Sequence, residues 1–394
     1  MQNDANRQFI LNHRFDDLRK LAFKSFDNTD IDIQYVLKQI EGRQIAESKI
    51  PSWFQSDEIV YPTHLSLEQC SSEQTARYKA GLVSGYSFVD LTGGLGVDFA
   101  FISTNFRESF YVEKQKELCE IATHNFDALK LKSVSIINVD ATVYLEKMPP
   151  ANAIFIDPGR RSTSGKKIFS IEEAEPDLLT IQDLLIEKAK TVLIKLSPML
   201  DISKALKQLK NVSEVHVLSL ENECKELLFL LKKGFLSEPS ITCVNLSKKN
   251  NQPKISFFQS KEKASQINYT SEIEQYVYEP NTSLLKAGFF KGLTILYPVR
   301  KFHPDSHLYT SSELISDFPG RIFQTEAYSS FNKQELKFFL REIDKASLAV
   351  RNFPISVAEL RKKLKIKDGG EIYIFATTLA NGKKMLLKCS RIYV

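Results

Sequence analysis

The spacing of apolar side chains changes along the chain. Through residue 85 they recur every three or four positions, in FDDLRKLAF, IDIQYVLKQIEGRQIAE and SSEQTARYKAGLVS, the period of helices with one buried face. Ser71 followed by Gln74 reads as a capping box, so the third helix is expected to start there and to end near Gly85. From Ser87 short apolar runs take over: SFVDL, ESFYVE, VSIINVD, NAIFID, TVLIKLS, EVHVLSL and ELLFLLK. Helical stretches such as KELCEIATHNFDALK and DLLTIQDLLIEKAK lie between them, which predicts parallel strands covered by helices on both faces. Only ENECK separates the last two runs, too little for a crossover helix, so they are expected to pair antiparallel.

The polar breaker KKNNQPK follows Ser247, and beyond it short strands alternate with helices such as FNKQELKFFLREID and SVAELRKKLK. The chain ends on a hairpin pattern, EIYIFATTLANGKKMLLKCS, with Asn381-Gly382 at its turn. The expected architecture is α/β: a seven-stranded sheet, mostly parallel with one antiparallel strand, between a helical N-terminal region and a C-terminal α+β region. The expected boundaries are 1–85 for the helical region, 86–247 for the sheet domain, and 253–325 and 326–394 for two small C-terminal subdomains.

Apolar residues make up 43% of the chain and charged residues 26%, ordinary values for a soluble globular protein. No apolar run approaches the roughly 18 residues of a membrane-spanning helix. MQNDANRQFILNHRFDDLRK lacks the apolar stretch of a secretory signal, so a cytoplasmic protein without a membrane partner is expected. The five cysteines are odd in number and scattered without a C-x-x-C, indicating neither a disulfide framework nor zinc. His303 and His307, the one close histidine pair, flank the turn residues Pro304 and Asp305, so no metal site is expected there. The net charge of +5 is unevenly spread: residues 281–394 hold 19 Lys and Arg against 10 Asp and Glu. That basic end, culminating in ELRKKLKIKDGG, suits a polyanion such as RNA; a solvated helix face is the plain alternative.

Chemistry concentrates in DLTGGLG, where Gly93, Gly94 and Gly96 are three of only 15 glycines in the chain. The stretch joins a strand to a helix at the carboxyl edge of the sheet, where open α/β sheets bind ligands. Glycine permits positive φ there and lets a ligand approach the backbone. Two ligand classes use such a turn. A dinucleotide fingerprint requires G-x-G-x-x-G, and the third position here is Phe99. The other class is S-adenosylmethionine, whose ribose is held by a carboxylate at the end of the second strand. Glu113 occupies that place, 17 residues after Gly96. Four successive strands are each expected to close on a carboxylate: Asp90, Glu113, Asp140 and Asp157.

Across about residues 72–235 this arrangement resembles the class I, Rossmann-like S-adenosylmethionine-dependent methyltransferases, through DLTGGLG, YVE, NVDA and FIDPG. GLGVD resembles the turn of a small-subunit rRNA guanine-N2 methyltransferase group, in which the equivalent of Asp98 lies near the cofactor. Over its whole length the chain resembles a bacterial family of predicted methyltransferases with C-terminal ferredoxin-like and THUMP-like domains, through EPNTSLLKAGFFKGL, HLYTSSELISDFPGR and GGEIYIFATT. THUMP domains accompany RNA-modifying enzymes.

The resemblance implies that S-adenosylmethionine is held by Asp90, Thr92, Gly93, Gly94, Gly96, Asp98, Glu113, Asp140 and Ala141, with Glu113 on the ribose and Asp140 on the adenine amino group. It places the helix carrying Thr75 and Lys79 over the cofactor. Asp157 and Pro158 match the start of the [Asp/Asn]-Pro-Pro-aromatic loop of amine-methylating enzymes, while Gly159 replaces the second proline and Arg160 the aromatic. Asp157 is therefore expected to orient or deprotonate the nucleophile. Arg160 and Arg161 are expected to hold a nucleotide by stacking or by gripping phosphate, and Lys195, closing TVLIK at the same edge, to line the substrate pocket. The implied function is methyl transfer to RNA. A methyltransferase for a metabolite or protein, an RNA-binding scaffold with an inactive methyltransferase domain, and a nicotinamide dehydrogenase stand as alternatives.

Overall fold

The computed structural model of the chain describes residues 4–22, 30–62, 64–160, 171–247 and 252–393, with the side chains of 64–66 and of Arg160 outside that description. The chain divides into two compact units, Met1–Glu214 with Leu227–Ser237 and Val215–Glu226 with Glu238–Val394.

The first unit begins with helices, among them α1 (Ile33–Lys49) and α2 (Glu73–Ala80). The cap of α2 differs by one position from the expected capping box: Ser72 accepts from the Thr75 amide, and the helix ends at Ala80 rather than near Gly85. The neighbouring Ser71 is buried and bonds to side chains of the site described below.

The strands follow the apolar runs closely. They are β1 (Ser87–Asp90), β2 (Glu108–Glu113), β3 (Val134–Asn138), β4 (Ala151–Ile156), β5 (Ala189–Leu196), β6 (Val212–Leu220) and β7 (Glu223–Lys232). They run in the order β3-β2-β1-β4-β5-β7-β6. Neighbours from β3 through β5 are parallel, and β7 pairs antiparallel with β5. A two-residue turn joins β6 to β7, with Glu221 and Asn222 both at positive φ, as the right-handed twist of a tight hairpin favours. Ile154, Phe155, Ile156, Val192, Leu193 and Ile194 are all almost wholly buried, which is why β4 and β5 read as unbroken apolar runs rather than alternating ones. Helices α3 (Val97–Ile102), α4 (Lys116–Ala128), α5 (Ala141–Lys147), α6 (Leu178–Lys188) and α7 (Ile202–Gln208) connect the strands.

In the second unit β8 (Ser240–Leu246) follows β6 in the ladder and pairs antiparallel with β9 (Ile255–Phe257), so the sheet has nine strands rather than the expected seven. A second, seven-stranded sheet contains β10 (Tyr276–Pro280), β11 (Arg300–Lys301), β12 (Tyr309–Ser311), β13 (Gly320–Ser330), β14 (Ser347–Arg351), β15 (Ile372–Thr378) and β16 (Lys384–Ile392), in the order β11-β12-β10-β13-β16-β15-β14. The expected Asn381-Gly382 hairpin is β15–β16, with Gly382 at φ +79°. Helix α8 (Val357–Leu364) starts on a capping box of Ser356 and Glu359 and buries Leu360 and Leu364, while Lys362 and Lys363 face solvent. Across the middle of the sheet, buried Glu279 receives Arg321 on one carboxylate oxygen and Arg351 on the other. Among the described residues no helix is long and apolar enough to cross a membrane.

Candidate functional site

The site lies in the first unit, where β1, β2, β4 and β5 end at one edge of the sheet. After Asp90 the Leu91 amide bonds to Phe155 O and the Gly93 amide to Val112 O, so the turn leaves β1 tied to both neighbouring strands. Gly94 and Gly96 have φ of +55° and +83°, a region in which a Cβ is penalised. Their surroundings differ. A side-chain carbon on Gly93 would run into the Tyr111 ring, and one on Gly96 would lie 2.7 Å from Phe126. One on Gly94 would meet only Thr92 O at 3.7 Å, so its Cα faces open space.

Glu113 reaches back to this turn. Its Oε2 accepts from the Gly94 amide at 3.0 Å and its Oε1 from the Gln115 amide at 2.8 Å. Each carboxylate oxygen has two acceptor positions, so two remain for a diol. Tyr111, two residues earlier and on the same face of β2, donates its hydroxyl to Gly94 O at 2.5 Å. The turn is thus fixed from β2 at both an amide and a carbonyl.

Asp90 is almost fully buried and accepts from the Thr92 amide at 2.9 Å. Burial pushes its carboxyl well above the usual carboxylate range, and the charges of Asp98, Asp157 and Glu113 add to that rise. Asp98 behaves oppositely. Burial raises it, but Lys79, Lys195 and Ser71 outweigh burial and hold it below the usual range. Lys79 Nζ lies 3.0 Å from Asp98 Oδ1, and the Ser71 hydroxyl donates to Oδ2 at 2.7 Å while accepting from Lys79 at 2.9 Å.

The chain of charges continues to the edge of the sheet. Lys195 Nζ lies 3.7 Å from Asp98 Oδ2 and 2.5 Å from Asp157 Oδ2. The pairing Ile156↔Ile194 in the parallel β4–β5 register brings the following residues, Asp157 and Lys195, side by side. Thr92 Oγ1 accepts from the Asp157 amide at 2.7 Å, binding the glycine turn to the D-P-G loop.

Of the residues expected at the site, Asp90, Thr92, Gly94, Asp98, Glu113, Asp157 and Lys195 are therefore linked by direct bonds or ion pairs. Asp140 stands apart from the expectation that it closes a strand. β3 ends at Asn138, and Asp140 caps α5 instead, accepting from the Thr142 hydroxyl and amide, which hold its carboxyl below the usual range. Ala141 opens that helix. Gly159 and Arg160 pair as a two-residue strand with Ala174 and Glu175; Arg161 and the side chain of Arg160 lie outside the described residues. Thr75 is buried in α2 next to its cap. Phe99, in place of the third fingerprint glycine, is fully buried and packs on Phe88 and Phe126 at ring separations of 5.7 and 4.9 Å. Among the described residues no group of three or more His, Cys, Asp or Glu is placed to hold a metal.

The sequence reading missed the Ser71–Lys79–Asp98 cluster as a unit. Ser71 and Lys79 are eight positions apart, hence near one face of α2, but nothing in the sequence marks that face as meeting Asp98. Tyr111 was legible in principle, since it shares the face of Glu113.

The electrostatics select among ligands. Four carboxylates raise one another's cost of ionisation around an open hollow, which favours a ligand carrying positive charge. The Gly94 amide, which a pyrophosphate would need, is already given to Glu113. The residues present thus fit S-adenosylmethionine, with a cationic ammonium and sulfonium and a ribose diol, better than a dinucleotide.

Comparison with known proteins bears on the whole chain. A ferredoxin-like domain model matches residues 276–319 and a THUMP domain-like model residues 320–391. The crystal structure of a candidate methyltransferase from Porphyromonas gingivalis W83 is similar over 99% of this chain and 98% of its own, with 35% identity and a TM-score of 0.88. A candidate methyltransferase from Streptococcus mutans, solved in complex with SAH, matches 41% of this chain and 96% of its own at 15% identity and a TM-score of 0.31. A candidate rRNA methylase from Clostridium thermocellum matches 41% and 95% at 19% identity and a TM-score of 0.31. Likenesses at that level bear on neither activity nor substrate. No curated protein matches the chain.

Proposed function

The chain belongs to the family of the Porphyromonas gingivalis protein, and on that premise we propose that it is an S-adenosylmethionine-dependent methyltransferase acting on RNA. The observation that carries the cofactor is Glu113, held by the amides of Gly94 and Gln115 beside a hollow that the buried Asp90 makes electronegative. Glu113 takes the ribose hydroxyls, Gly94 leaves room for the amino-acid portion, and Asp90 with Asp98 offsets the ligand's positive charge. When bound, the cofactor supplies an electrophilic methyl group on a sulfonium. The work left to the chain is to align a nucleophile with that methyl and to exclude water, and Asp157 with Pro158 stands where the nucleophile would be held.

RNA as the substrate is supported by the second unit. Its THUMP domain-like segment carries the exposed Lys362, Lys363, Lys365 and Lys367 on and after α8. Residues 86–247 would bind the cofactor, with 253–325 and 326–394 serving RNA capture. Cofactor with a tritiated methyl, incubated with the full chain and total RNA from a strain lacking its gene, should label RNA, and the labelling should fall as salt is raised because phosphate contacts release counterions. Labelling confined to protein or to small molecules would refute an RNA substrate.

A further inference from the structure

Resting on the methyltransferase reading, we propose that the group methylated is a ribose hydroxyl of the RNA and not an amine of a base, because Asp157 is joined to Lys195. The ammonium nitrogen of Lys195 is 2.5 Å from Asp157 Oδ2, so a nucleophile held by Asp157 also neighbours that cation. Lys195 is fixed on its other side by Asp98 at 3.7 Å, and Asp98 in turn by the buried Lys79 at 3.0 Å. Charges alternate along Asp157, Lys195, Asp98 and Lys79, with Ser71 bonded to the last two.

The sign of the charge separates the two nucleophiles. An amine that attacks a sulfonium methyl gains positive charge on nitrogen, and a lysine cation beside it opposes that change. The conjugated amine of a base also offers only N–H donors, so the ammonium has nothing to donate to. A hydroxyl has the complementary pattern of one donor and two acceptor lone pairs. Its proton fits the Asp157 carboxylate, its oxygen accepts from Lys195, and the negative charge that develops as the proton leaves is stabilised by the cation. In the step, the hydroxyl oxygen forms a bond to the methyl carbon with its own electron pair. The carbon–sulfur bond breaks with its pair remaining on sulfur as a thioether, and the hydroxyl proton passes to Asp157. The Asp157 side chain is 37% exposed and can return that proton to solvent. The replacement of the aromatic in the D-P-P-aromatic loop by Arg160 agrees, since no base has to be stacked at this position.

The test is the identity of the labelled nucleoside. RNA methylated by the full chain with a labelled methyl donor is digested to nucleosides and analysed by mass spectrometry, and a parallel sample is hydrolysed with alkali. A ribose-methylated nucleoside, with label retained in an alkali-resistant dinucleotide, is expected. Label on a base nitrogen, base carbon or base oxygen overturns the hydroxyl assignment and leaves the methyltransferase reading standing; no label in RNA, with no binding of the donor by calorimetry, overturns both. Lys195→Met should lower the single-turnover rate by about 100-fold or more while changing donor affinity less than about threefold, with part of the rate recovered in Lys195→Arg. An unchanged rate in Lys195→Met would remove the lysine from the reaction.

Discussion

The amide of Gly94 donates to Oε2 of Glu113 at 3.0 Å, and this single bond joins the bend after β1 to the end of β2. It also keeps the carboxylate of Glu113 facing the space above Gly94, where a ribose would lie. In Glu113→Gln one of the two backbone amides now bonded to the carboxylate meets an NH2 group instead of an oxygen. An unmet buried donor costs about 1–3 kcal/mol. Affinity for S-adenosylmethionine should fall by at least about tenfold, equivalent to about 1.4 kcal/mol, with the far-ultraviolet circular dichroism unchanged. Calorimetric titration of the variant checks this.

Adjacent glycines should respond differently to alanine. Gly93→Ala forces a carbon into the Tyr111 ring, and overpacking of that kind costs typically 1–3 kcal/mol, so the melting temperature should drop. Gly94→Ala accepts the strain of a positive φ, about 1–2 kcal/mol, with no clash, yet it fills part of the hollow. Its cofactor affinity should fall far more than its melting temperature indicates. Thermal melts with and without S-adenosylmethionine separate the two effects.

Asp90 makes stability depend on pH in a stated direction. Its carboxyl is raised by burial first and by Asp98, Asp157 and Glu113 next. An acid raised on folding stabilises the native state fully below its unfolded pKa of about 3.9, and that contribution is lost as pH rises through the folded value. Asp90→Asn keeps an acceptor for the Thr92 amide and removes the titration. The variant should therefore melt higher than the parent at pH 8, with the difference shrinking toward pH 5, and should bind the cationic cofactor more weakly. Melting curves across that range supply the check.

In the second unit, Glu279→Ala leaves Arg321 and Arg351 without their shared carboxylate inside the sheet. Breaking a buried ion pair by removing one partner costs about 3–5 kcal/mol. Denaturant unfolding followed by tyrosine fluorescence should show the loss.

Much of this was legible in the chain because the physics was local. SFVDL, ESFYVE and NAIFID read as strands since burial on both faces demands unbroken apolar runs, and ENECK was too short for anything but a hairpin. Glu113 and Asp157 were found because strand ends at one edge converge. The rest depended on tertiary contact. Ser72 and not Ser71 caps α2, because Ser71 is drawn to Asp98, 27 residues away, and no local pattern reports that. Asp140 looked like a strand terminus, but its short acceptor side chain suits a helix cap, and the strand stops two residues before it. β8 and β9 extended the sheet because the outer edge of β6 was unpaired in the seven-strand reading, and a bare edge invites further pairing. Lys195 was placed at the edge correctly, but its bond to Asp157 emerged only from the β4–β5 register.

The central claim is that carboxylates at the sheet edge and the bend at Gly94 form a receptor for a sulfonium nucleoside. Calorimetric titration of the full chain with S-adenosylmethionine and, separately, with NAD tests it most directly. The account predicts one-to-one binding of S-adenosylmethionine, abolished in Glu113→Ala, and no heat with NAD. Binding of NAD with none of S-adenosylmethionine would contradict it.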